Sequence, residues 1–350
     1  MSKKCVVVGL SGGVDSSVSA HLLKKEGHEV IALFMKNWEE VDSDGVCPAE
    51  EDQKDVIRVA KALDIPYYTV NYAKEYKERV FEEFLDGLKK GLTPNPDLLC
   101  NREIKFKALL ETAEKLGADF LATGHYCRRD LEGRLLKGID PLKDQSYFLA
   151  QVHSNALKKS LFPIGELHKT VVREIAKQAD LVTHNKKDST GICFIGNKNF
   201  KKFIQSYIPI TVGNFYDLES GKKISSHEGA CFYTIGERAC ISGSDAPYFV
   251  AKKEENSVFV VKGKDHPALF TTKIKAHSPF WIHEIPDFTK DYSAKVRYRQ
   301  SDQKCRIELE SQGLAVYFDT PQRAVTPGQY IVFYDKEVCL GSAIIDCGIS

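Results

Sequence analysis

The sequence has almost no net charge and no hydrophobic run long enough to cross a membrane. Its 350 residues include 49 Lys and Arg against 48 Asp and Glu, which gives a formal charge of +1. The apolar stretches fall well short of the ~20 residues that span a bilayer. Net charge therefore gives no indication of a nucleic-acid partner, and we do not expect the chain to enter a membrane.

The ten cysteines include no C-x-x-C pair, and the N-terminus lacks the pattern of a signal peptide. The missing pair argues against a zinc ribbon or an iron–sulfur site. The apolar run Cys5–Leu10 is followed at once by a Gly-Gly turn, so it predicts a buried β-strand. We expect a cytoplasmic protein whose cysteines are mostly reduced and buried.

The first 200 residues alternate between strand and helix patterns. Strand patterns cover 5–10, 29–35, 66–71 and 118–124, and helix patterns cover 16–25, 56–63, 74–90 and 105–116. Strands separated by helices in this way predict an α/β fold, a doubly wound parallel sheet with helices on both faces. Residues 130–150 are typical of a short hairpin that leads into a helix.

After residue 200, short alternating segments bounded by turn residues replace this pattern. Regular short strands predict a small barrel or sandwich. We therefore expect three domains: an α/β domain at 1–200, a small β-rich domain at 201–268 and a C-terminal β-barrel at 269–350.

A loop rich in glycine and serine, G-L-S-G-G-V-D-S-S, joins the first strand to the first helix. Its glycines allow a tight turn and close approach of a ligand, and the helix N-terminus offers free N–H groups. It is not a Walker A loop, because no G-K-[ST] follows and no lysine is expected to reach a terminal phosphate. A phosphate or pyrophosphate site is predicted at eight residues: Gly9, Leu10, Ser11, Gly12, Gly13, Val14, Asp15 and Ser16.

Two cysteines are candidates for reactivity. Cys100 lies just before the predicted helix at 105–116, and the helix N-terminus with Arg102 and Lys105 favours its thiolate form. Asp97, three residues earlier, is placed to accept or deliver a proton if it is partly desolvated. Cys193 lies in a Gly-punctuated loop between basic stretches, the second of which is 198–202. Buried thiols and a capping Asp explain each segment equally well when it is taken alone.

Taken together, these segments closely resemble the bacterial tRNA-specific 2-thiouridylase family, which carries the PP-loop of ATP pyrophosphatases. The resemblance covers the whole length and keeps the order PP-loop, N-P-D…C-N, G-H-Y, D-Q-S-Y and D-S-T-G-I-C-F-I-G. It implies that Cys193 carries a persulfide sulfur, that Cys100 is the nucleophile completing its transfer, and that Asp97 is an acid or base. It also implies that Asn95, Pro96 and Asp97 contact the target base.

The same resemblance implies ATP and Mg²⁺ as cofactors and tRNA as the substrate. ATP would adenylate the C2 oxygen of the wobble uridine in the anticodon, and the persulfide would replace that oxygen with sulfur. A Cys100–Cys193 disulfide would form and be reset by an external reductant. Asp15 would help to hold Mg²⁺, while Met35 and Gly124, at strand ends of the same sheet, would contact the adenosine. A cysteine desulfurase or sulfur-relay protein would supply the sulfur, and the enzyme would act as a monomer.

Two segments are candidates for binding tRNA. The first matches a family segment that touches tRNA: Lys143, Asp144 and Gln145. The second, at 295–299, alternates so that Lys295, Arg297 and Arg299 share one face of a predicted strand. A solvated strand face is the ordinary explanation of such a row, and the resemblance assigns Tyr298 and Arg299 to tRNA.

Two other functions remain open at this point. A PP-loop also serves amide-forming or lysidine-type ligases, which transfer nitrogen and would not need either cysteine. A non-enzymatic adenine-nucleotide-binding sensor would bind ATP without releasing pyrophosphate when tRNA is present.

Overall fold

The computed structural model describes residues 3–39, 48–188, 200–244 and 246–349. These residues build one five-stranded sheet near the N-terminus, a second five-stranded sheet and an eight-stranded sheet. Within the described ranges, no helix is both long enough and apolar enough to cross a membrane.

The first sheet is parallel and confirms the predicted α/β architecture. The strands before residue 188 are β1 (Cys5–Gly9), β2 (Glu29–Lys36), β3 (Tyr67–Asn71), β4 (Phe120–Ala122), β5 (Cys127–Arg129), β6 (Leu135–Lys137) and β7 (Ser160–Leu161). Five of them form the sheet in the order β3-β2-β1-β4-β7, and each neighbouring pair is parallel. Val6, Val7 and Val8 of the central strand are fully buried, which explains the unbroken apolar run at the N-terminus.

Helices connect these strands. Their bounds are Val14–Lys25, Pro48–Ala62, 73–89, 96–115, Ser154–Lys158 and Lys169–Gln178, with a short 3₁₀-helix at Ser146–Leu149. Two of the helices contain π-helical stretches, Lys77–Phe81 and Cys100–Leu109. Stretches of this kind often occur at functional sites.

The helix predicted at 105–116 in fact begins at Pro96. Proline at the first helical position has the required φ, and the Asn95 side chain accepts a hydrogen bond from the backbone N–H of Asp97 at 3.1 Å. Asp97 and Cys100 therefore lie inside the helix and not before it. The predicted start at residue 105 was wrong, because a proline is compatible with the first turn of a helix.

The middle sheet follows the helix Phe200–Gln205. Its strands are β8 (Gly213–Asp217), β9 (Lys223–His227), β10 (Arg238–Ala239), β11 (Tyr248–Glu254) and β12 (Ser257–Lys262). They have the order β10-β11-β12-β8-β9, and β12 and β8 form its parallel pair. A small core of its own includes Phe215, Val250 and Val258.

The C-terminal strands close into the predicted antiparallel barrel. They are β13 (Phe270–Trp281), β14 (Tyr292–Lys295), β15 (Gln303–Glu310), β16 (Gly313–Arg323), β17 (Tyr330–Asp335) and β18 (Val338–Ile349). Because β13 pairs with both β16 and β18, the six strands form a closed ring. The sequence patterns did not predict β13, whose alternation is broken by a register shift after His277 and by a positive φ at Ser278.

The hairpin predicted within 130–150 lies outside the parallel sheet. β5 and β6 pair with each other, and Leu136 pairs with Val338 of β18, so the hairpin extends the C-terminal sheet. The sequence boundaries had assigned it to the first domain. This strand pairing joins the N-terminal α/β part to the barrel.

The row of basic residues at 295–299 does not share one strand face. β14 ends at Lys295, and the backbone N–H of Val296 bonds to the Gln300 side chain at 2.8 Å, which turns the chain away. Lys295 is buried, and its Nζ lies 3.3 Å from Asp144 Oδ2 and 3.6 Å from Asp302 Oδ1. The expectation of an alternating face was wrong because it assumed that the strand continued to Arg299.

We expect Lys295→Met to destabilise the protein by about 3–5 kcal/mol, the usual cost of leaving one member of a buried ion pair uncompensated. Asp144, itself buried, would keep only its neutral donors, Gly138 N, Ser146 N and Ser146 Oγ. Urea unfolding of the full chain measures the change. Lys304→Met, at an exposed position of β15, is the matched control and should shift the unfolding free energy by less than about 0.5 kcal/mol. Equal effects of the two substitutions would contradict this account.

Candidate active site

The loop between β1 and the helix Val14–Lys25 is held by its own hydroxyl groups. The backbone N–H of Ser11 donates to Ser16 Oγ at 3.2 Å, and the Ser17 hydroxyl donates to the Gly13 carbonyl at 2.8 Å. Gly12 has a φ of +74°, and a Cβ there would lie 2.6 Å from the Asp52 carbonyl oxygen. Glycine is therefore required at this position for two reasons. The N–H groups at the start of a helix have no intrahelical partner, so this helix start can bind an anion.

Gly124 follows β4 and lies against the start of the same helix. A Cβ there would lie 2.7 Å from Ser16 N and 2.9 Å from the carbonyl carbon of Asp15. The absence of a side chain thus lets two backbones meet beside the loop. Met35, near the end of β2, is half-buried. The ends of β1, β2 and β4 lie along one edge of the sheet, where doubly wound folds bind nucleotides.

Asp15 is held by two residues that are distant in sequence. Its Oδ1 accepts hydrogen bonds from the Tyr126 hydroxyl at 2.7 Å and from Lys169 Nζ at 2.7 Å, and Lys169 Nζ is 2.8 Å from Oδ2. Burial raises the pKa of Tyr126, and the Asp15 carboxylate adds to this shift, so the phenol keeps its proton and donates. The loop itself contains no lysine, and the helix Lys169–Gln178 brings Lys169 to it from a distant part of the chain.

A second carboxylate, Asp188, binds three cations. Lys143, Lys169 and Arg173 approach its oxygens at 2.7, 2.8 and 2.7 Å. Burial raises the pKa of Asp188, but hydrogen bonds from Lys143 and Lys169 outweigh it and bring the pKa down to about 2. Asp188 therefore stays ionised and connects the PP-loop, through Lys169, to the segment 143–145.

Asp97 lies in the first turn of the helix 96–115, and its environment favours proton exchange. Burial raises the pKa of its carboxyl, while the positive charge of Lys105 opposes part of that shift. Burial lowers the pKa of His125, and the positive charge of Lys105 lowers it further. The imidazole is therefore neutral, and its Nδ1 lies 2.8 Å from the Thr123 hydroxyl. A carboxyl with a raised pKa in such a setting is a candidate acid or base.

Cys100 begins the π-helical stretch, one turn after Asp97, and is 2 % exposed. Arg102, one of the two side chains predicted to support its thiolate, bonds to other groups: its Nε donates to Glu103 at 2.8 Å and its Nη1 to Gln151 at 2.6 Å. Cys193 lies outside the described residues. The structure therefore brings Asp97 and Cys100 onto one helix, and the predicted role of Cys193 stays a prediction.

A groove of about 400 Å³ opens beside Asp97, and all three parts of the chain line it. The segment 93–97 forms one side, Phe232 and Thr234 of the middle domain another, and Gln329 of the barrel a third. Gln329 Nε2 donates to the Thr93 carbonyl at 2.6 Å. Sequence reasoning missed Phe232 and Gln329, because no local pattern shows that two β domains approach the N-P-D segment.

The two segments predicted to bind tRNA lie next to each other. The Tyr298 hydroxyl donates to the Lys143 carbonyl at 3.4 Å, and the Arg299 guanidinium lies over the Tyr298 ring at 5.7 Å. The Asp144 side chain is buried and faces inward to Lys295, and the predicted contact of the segment 143–145 with tRNA stays a prediction. Gln145 also turns inward, where its Oε1 accepts from the Tyr126 N–H at 3.0 Å.

The third basic stretch, 198–202, lies only partly within the described residues. Lys198 lies outside the described residues, and Lys201 forms an ion pair with Glu228 at 2.5 Å. This pairing reduces the charge that the stretch offers to a phosphate backbone.

Candidate metal ligands are few. Within the described residues, no group of three or more His, Cys, Asp or Glu side chains is arranged to hold a metal ion. Asp15, beside the loop and about 30 % exposed at its side chain, can supply one carboxylate. Mg²⁺ at nucleotide sites commonly takes one or two protein carboxylates and completes its shell with phosphates and water. The residues present fit such a site with Asp15 as its protein carboxylate.

Comparisons with known proteins agree along the whole chain. A family model described as "tRNA methyl transferase HUP domain" matches residues 4–197, "tRNA methyl transferase PRC-barrel domain" matches 201–262, and "Aminomethyltransferase beta-barrel domain" matches 271–345. The chain is 53% identical to tRNA-specific 2-thiouridylase MnmA 1 of Geobacillus kaustophilus, over 99% of this chain and 96% of that protein. It is 52% identical to tRNA-specific 2-thiouridylase MnmA of Bacillus subtilis, over 97% and 94% of the two chains. It is 51% identical to the Chlamydia felis protein named tRNA-specific 2-thiouridylase MnmA, over 99% of this chain and 98% of that protein.

Proposed function

Because the chain belongs to the tRNA-specific 2-thiouridylase family, we propose that it is an ATP-dependent sulfurtransferase that forms 2-thiouridine at the wobble position of tRNA. The observation that carries this proposal is an identity of at least 50% to named 2-thiouridylases over nearly the full length of the chain. The glycine-rich loop at the edge of the parallel sheet, and Asp97 and Cys100 on one helix, support it. The reaction needs a nucleotide site, a proton-exchanging group and a sulfur nucleophile, and each has a residue in this chain.

The first step consumes ATP. The uracil C2 oxygen attacks the α-phosphorus, the bond from that phosphorus to the bridging oxygen breaks, and pyrophosphate leaves with the electron pair. Residues 9–16 hold the phosphates through backbone N–H groups at the helix start, and Met35 and Gly124 contact the adenosine. Mg²⁺ bound at Asp15 would neutralise phosphate charge.

The second step moves sulfur. The terminal persulfide sulfur on Cys193 attacks C2, the C2–O bond breaks, and AMP leaves. The Cys100 thiolate then attacks the Cys193 sulfur, so that the S–S bond to the base breaks, C2 keeps its sulfur and a Cys100–Cys193 disulfide forms. An external reductant returns the two electrons. The proton at N3 leaves on adenylation and returns in the product, and we assign this exchange to Asp97.

The groove beside Asp97 supports entry of an unstacked base. Anticodon bases are already partly free of stacking, so an enzyme can extract the wobble uridine at modest cost. Asn95, Pro96 and Asp97 line this groove, and the aromatic side chains Phe84, Phe200 and Phe232 offer apolar surface. Sulfur arrives from a cysteine desulfurase or a relay protein, and the enzyme works as a monomer in the cytoplasm.

The test is incubation with ATP, a persulfide source and unmodified tRNA, followed by mass spectrometry of the nucleosides. We expect 2-thiouridine in amounts equal to the AMP and pyrophosphate released. A lysidine-type ligase would give a nitrogen adduct that does not depend on Cys100 or Cys193. A nucleotide sensor would bind ATP and release no pyrophosphate when tRNA is added.

Arg299→Ala should weaken tRNA binding and reduce the slope of log K against log salt by about one, because one phosphate contact is lost. Arg299 is exposed and lies over the Tyr298 ring, so its removal should leave ATP affinity unchanged. Filter binding at several salt concentrations measures the slope. Arg58→Ala is the control, since Arg58 is exposed on the helix Pro48–Ala62. An unaltered slope for Arg299→Ala would remove this residue from the interface.

A further inference from the structure

The helix 96–115 runs from the groove to the PP-loop. Its first turn carries Asp97, which lines the groove. Further along, Leu109 packs on the first residue of the loop, since a Cβ at Gly9 would lie 3.3 Å from Leu109 Cδ2. At about 1.5 Å per residue, at most about 18 Å of helix separate these two contacts. The α-phosphorus of ATP bonds to the base during adenylation, so it must lie between the groove and the loop.

Lys105 lies on this helix between the two contacts, and its side chain is half-buried. The stretch that begins at Cys100 is π-helical. Residues five apart are hydrogen-bonded in such a helix, so Lys105 lies one turn after Cys100 on the same side. The next residue, Phe106, has its ring centre 5.7 Å from that of His125. Gly124, which precedes His125, meets the start of the loop helix. Lys105 is therefore placed where the nucleotide and the base would meet.

The charge of Lys105 has no partner in the part of the chain that the structure describes. Among those residues, no group forms a hydrogen bond or an ion pair with its ammonium group. Other lysines around the loop already bind carboxylates, and these are Lys143, Lys169 and Lys186. Burial is the main influence on the pKa of Asp97 and of His125, and the charge of Lys105 lowers both. A half-buried ammonium group without a protein acceptor is costly unless a ligand supplies an anion.

We propose that Lys105 is a catalytic residue whose ammonium group binds the α-phosphate of ATP and of the adenylated base. The uracil C2 oxygen attacks the α-phosphorus, the bond to the bridging oxygen breaks, and pyrophosphate leaves with the electron pair. Lys105 keeps its proton throughout and donates to a non-bridging oxygen of the α-phosphate, where negative charge is concentrated in the transition state. When the persulfide displaces AMP, the same contact stabilises the leaving phosphate. This inference rests on the proposed function and goes beyond it by naming the group that contacts the reacting phosphate.

The experiment compares AMP, which has the α-phosphate, with adenosine, which has no phosphate. Calorimetry on the full chain measures both affinities for wild type, Lys105→Gln, Lys105→Arg and Lys107→Gln. Lys107 is exposed on the same helix and pairs with Glu103, so its substitution makes the same charge change away from the site. We expect Lys105→Gln to bind AMP at least about tenfold more weakly, the usual effect of losing a hydrogen bond to a charged group, with adenosine affinity unchanged. Lys105→Arg keeps the charge and should retain most of the AMP affinity, and Lys107→Gln should retain both affinities. With unmodified tRNA, pyrophosphate release by Lys105→Gln should fall by about 10²–10³-fold.

Equal losses for AMP and adenosine would overturn the proposal, since they would mean that Lys105 only maintains the shape of the site. Unchanged AMP affinity in Lys105→Gln would overturn it as well. If Lys105→Gln does not fold, amine acetylation of the wild type followed by peptide mass spectrometry gives the answer. AMP should protect Lys105 and adenosine should not, and lack of protection by AMP would refute the assignment. The binding and acetylation measurements need neither tRNA nor sulfur, and formation of 2-thiouridine by the wild type is tested separately. Failure of this inference is therefore distinct from failure of the proposed function.

Discussion

Cys100→Ser should accumulate a covalent tRNA–enzyme adduct in place of 2-thiouridine. In the proposed reaction the variant can still adenylate the base, and the persulfide of Cys193 can still displace AMP from C2. The step that is lost is cleavage of the S–S bond between Cys193 and the base sulfur, because a serine hydroxyl does not exchange with disulfides as a thiolate does. Without added thiol, 2-thiouridine should fall by at least about 10³-fold, while AMP appears in a single turnover.

The adduct gives the experiment its sharpest readout. Denaturing gels should show tRNA bound to protein, and dithiothreitol should release that tRNA carrying 2-thiouridine, since the reductant attacks the sulfur that Cys100 normally attacks. Cys305→Ser is a matched control, because Cys305 is equally buried at 2 % exposure but lies in the barrel strand β15. It should lose stability without forming an adduct. Full thiolation by Cys100→Ser in the absence of thiol would exclude the proposed role of Cys100. A complete lack of sulfur on the base would show that Cys100 acts at a step before the persulfide attacks C2.

The parts of the site that depend only on consecutive residues were predictable from the sequence. The PP-loop is defined by consecutive residues, and Gly12 shows in the structure why only glycine fits there, with its positive φ and its contact to Asp52. The parallel sheet and the barrel were also predictable, because their strands have periodic or fully buried apolar patterns.

Contacts between distant segments were not predictable in the same way. Lys169 reaches Asp15 from more than 150 residues away, and a lysine in the sequence L-H-K-T gives no sign of such a partner. The sequence pattern predicts that Lys295 lies on a solvated strand face with two arginines, yet it is buried against Asp144. A basic side chain that neutralises a buried carboxylate and one that meets a phosphate are identical in sequence and differ only in tertiary environment.

Asp97→Asn should abolish most activity and, at neutral pH, make the protein more stable. Burial raises the native pKa of Asp97 above its ordinary value of 3.8, and Lys105 only partly offsets this. Between the ordinary and the raised pKa, the folded protein binds a proton that the unfolded chain has already lost, so its stability falls as pH increases through this window. Above the window the native carboxylate is ionised in a desolvated place at a cost that Asn does not have, because an amide is neutral.

The loss of thiolation and the gain in stability expected for Asp97→Asn are measured by different assays, and the gain in stability depends on pH. Thiolation should fall by about 10²–10⁴-fold, the usual contribution of a general acid or base. Thermal unfolding should show a higher midpoint for the variant at pH 7, and the difference should disappear well below the ordinary pKa of 3.8, where the carboxyl is protonated in both states. Glu83→Gln is a useful comparison, because burial also raises the pKa of Glu83. Arg102 lies 3.9 Å from the Glu83 carboxylate and partly offsets this cost, so we expect a smaller stability gain with thiolation retained. If Asp97→Asn is less stable than the wild type at pH 7, the Asp97 carboxylate stabilises the fold. That result would contradict the expected cost of ionising this buried carboxyl group.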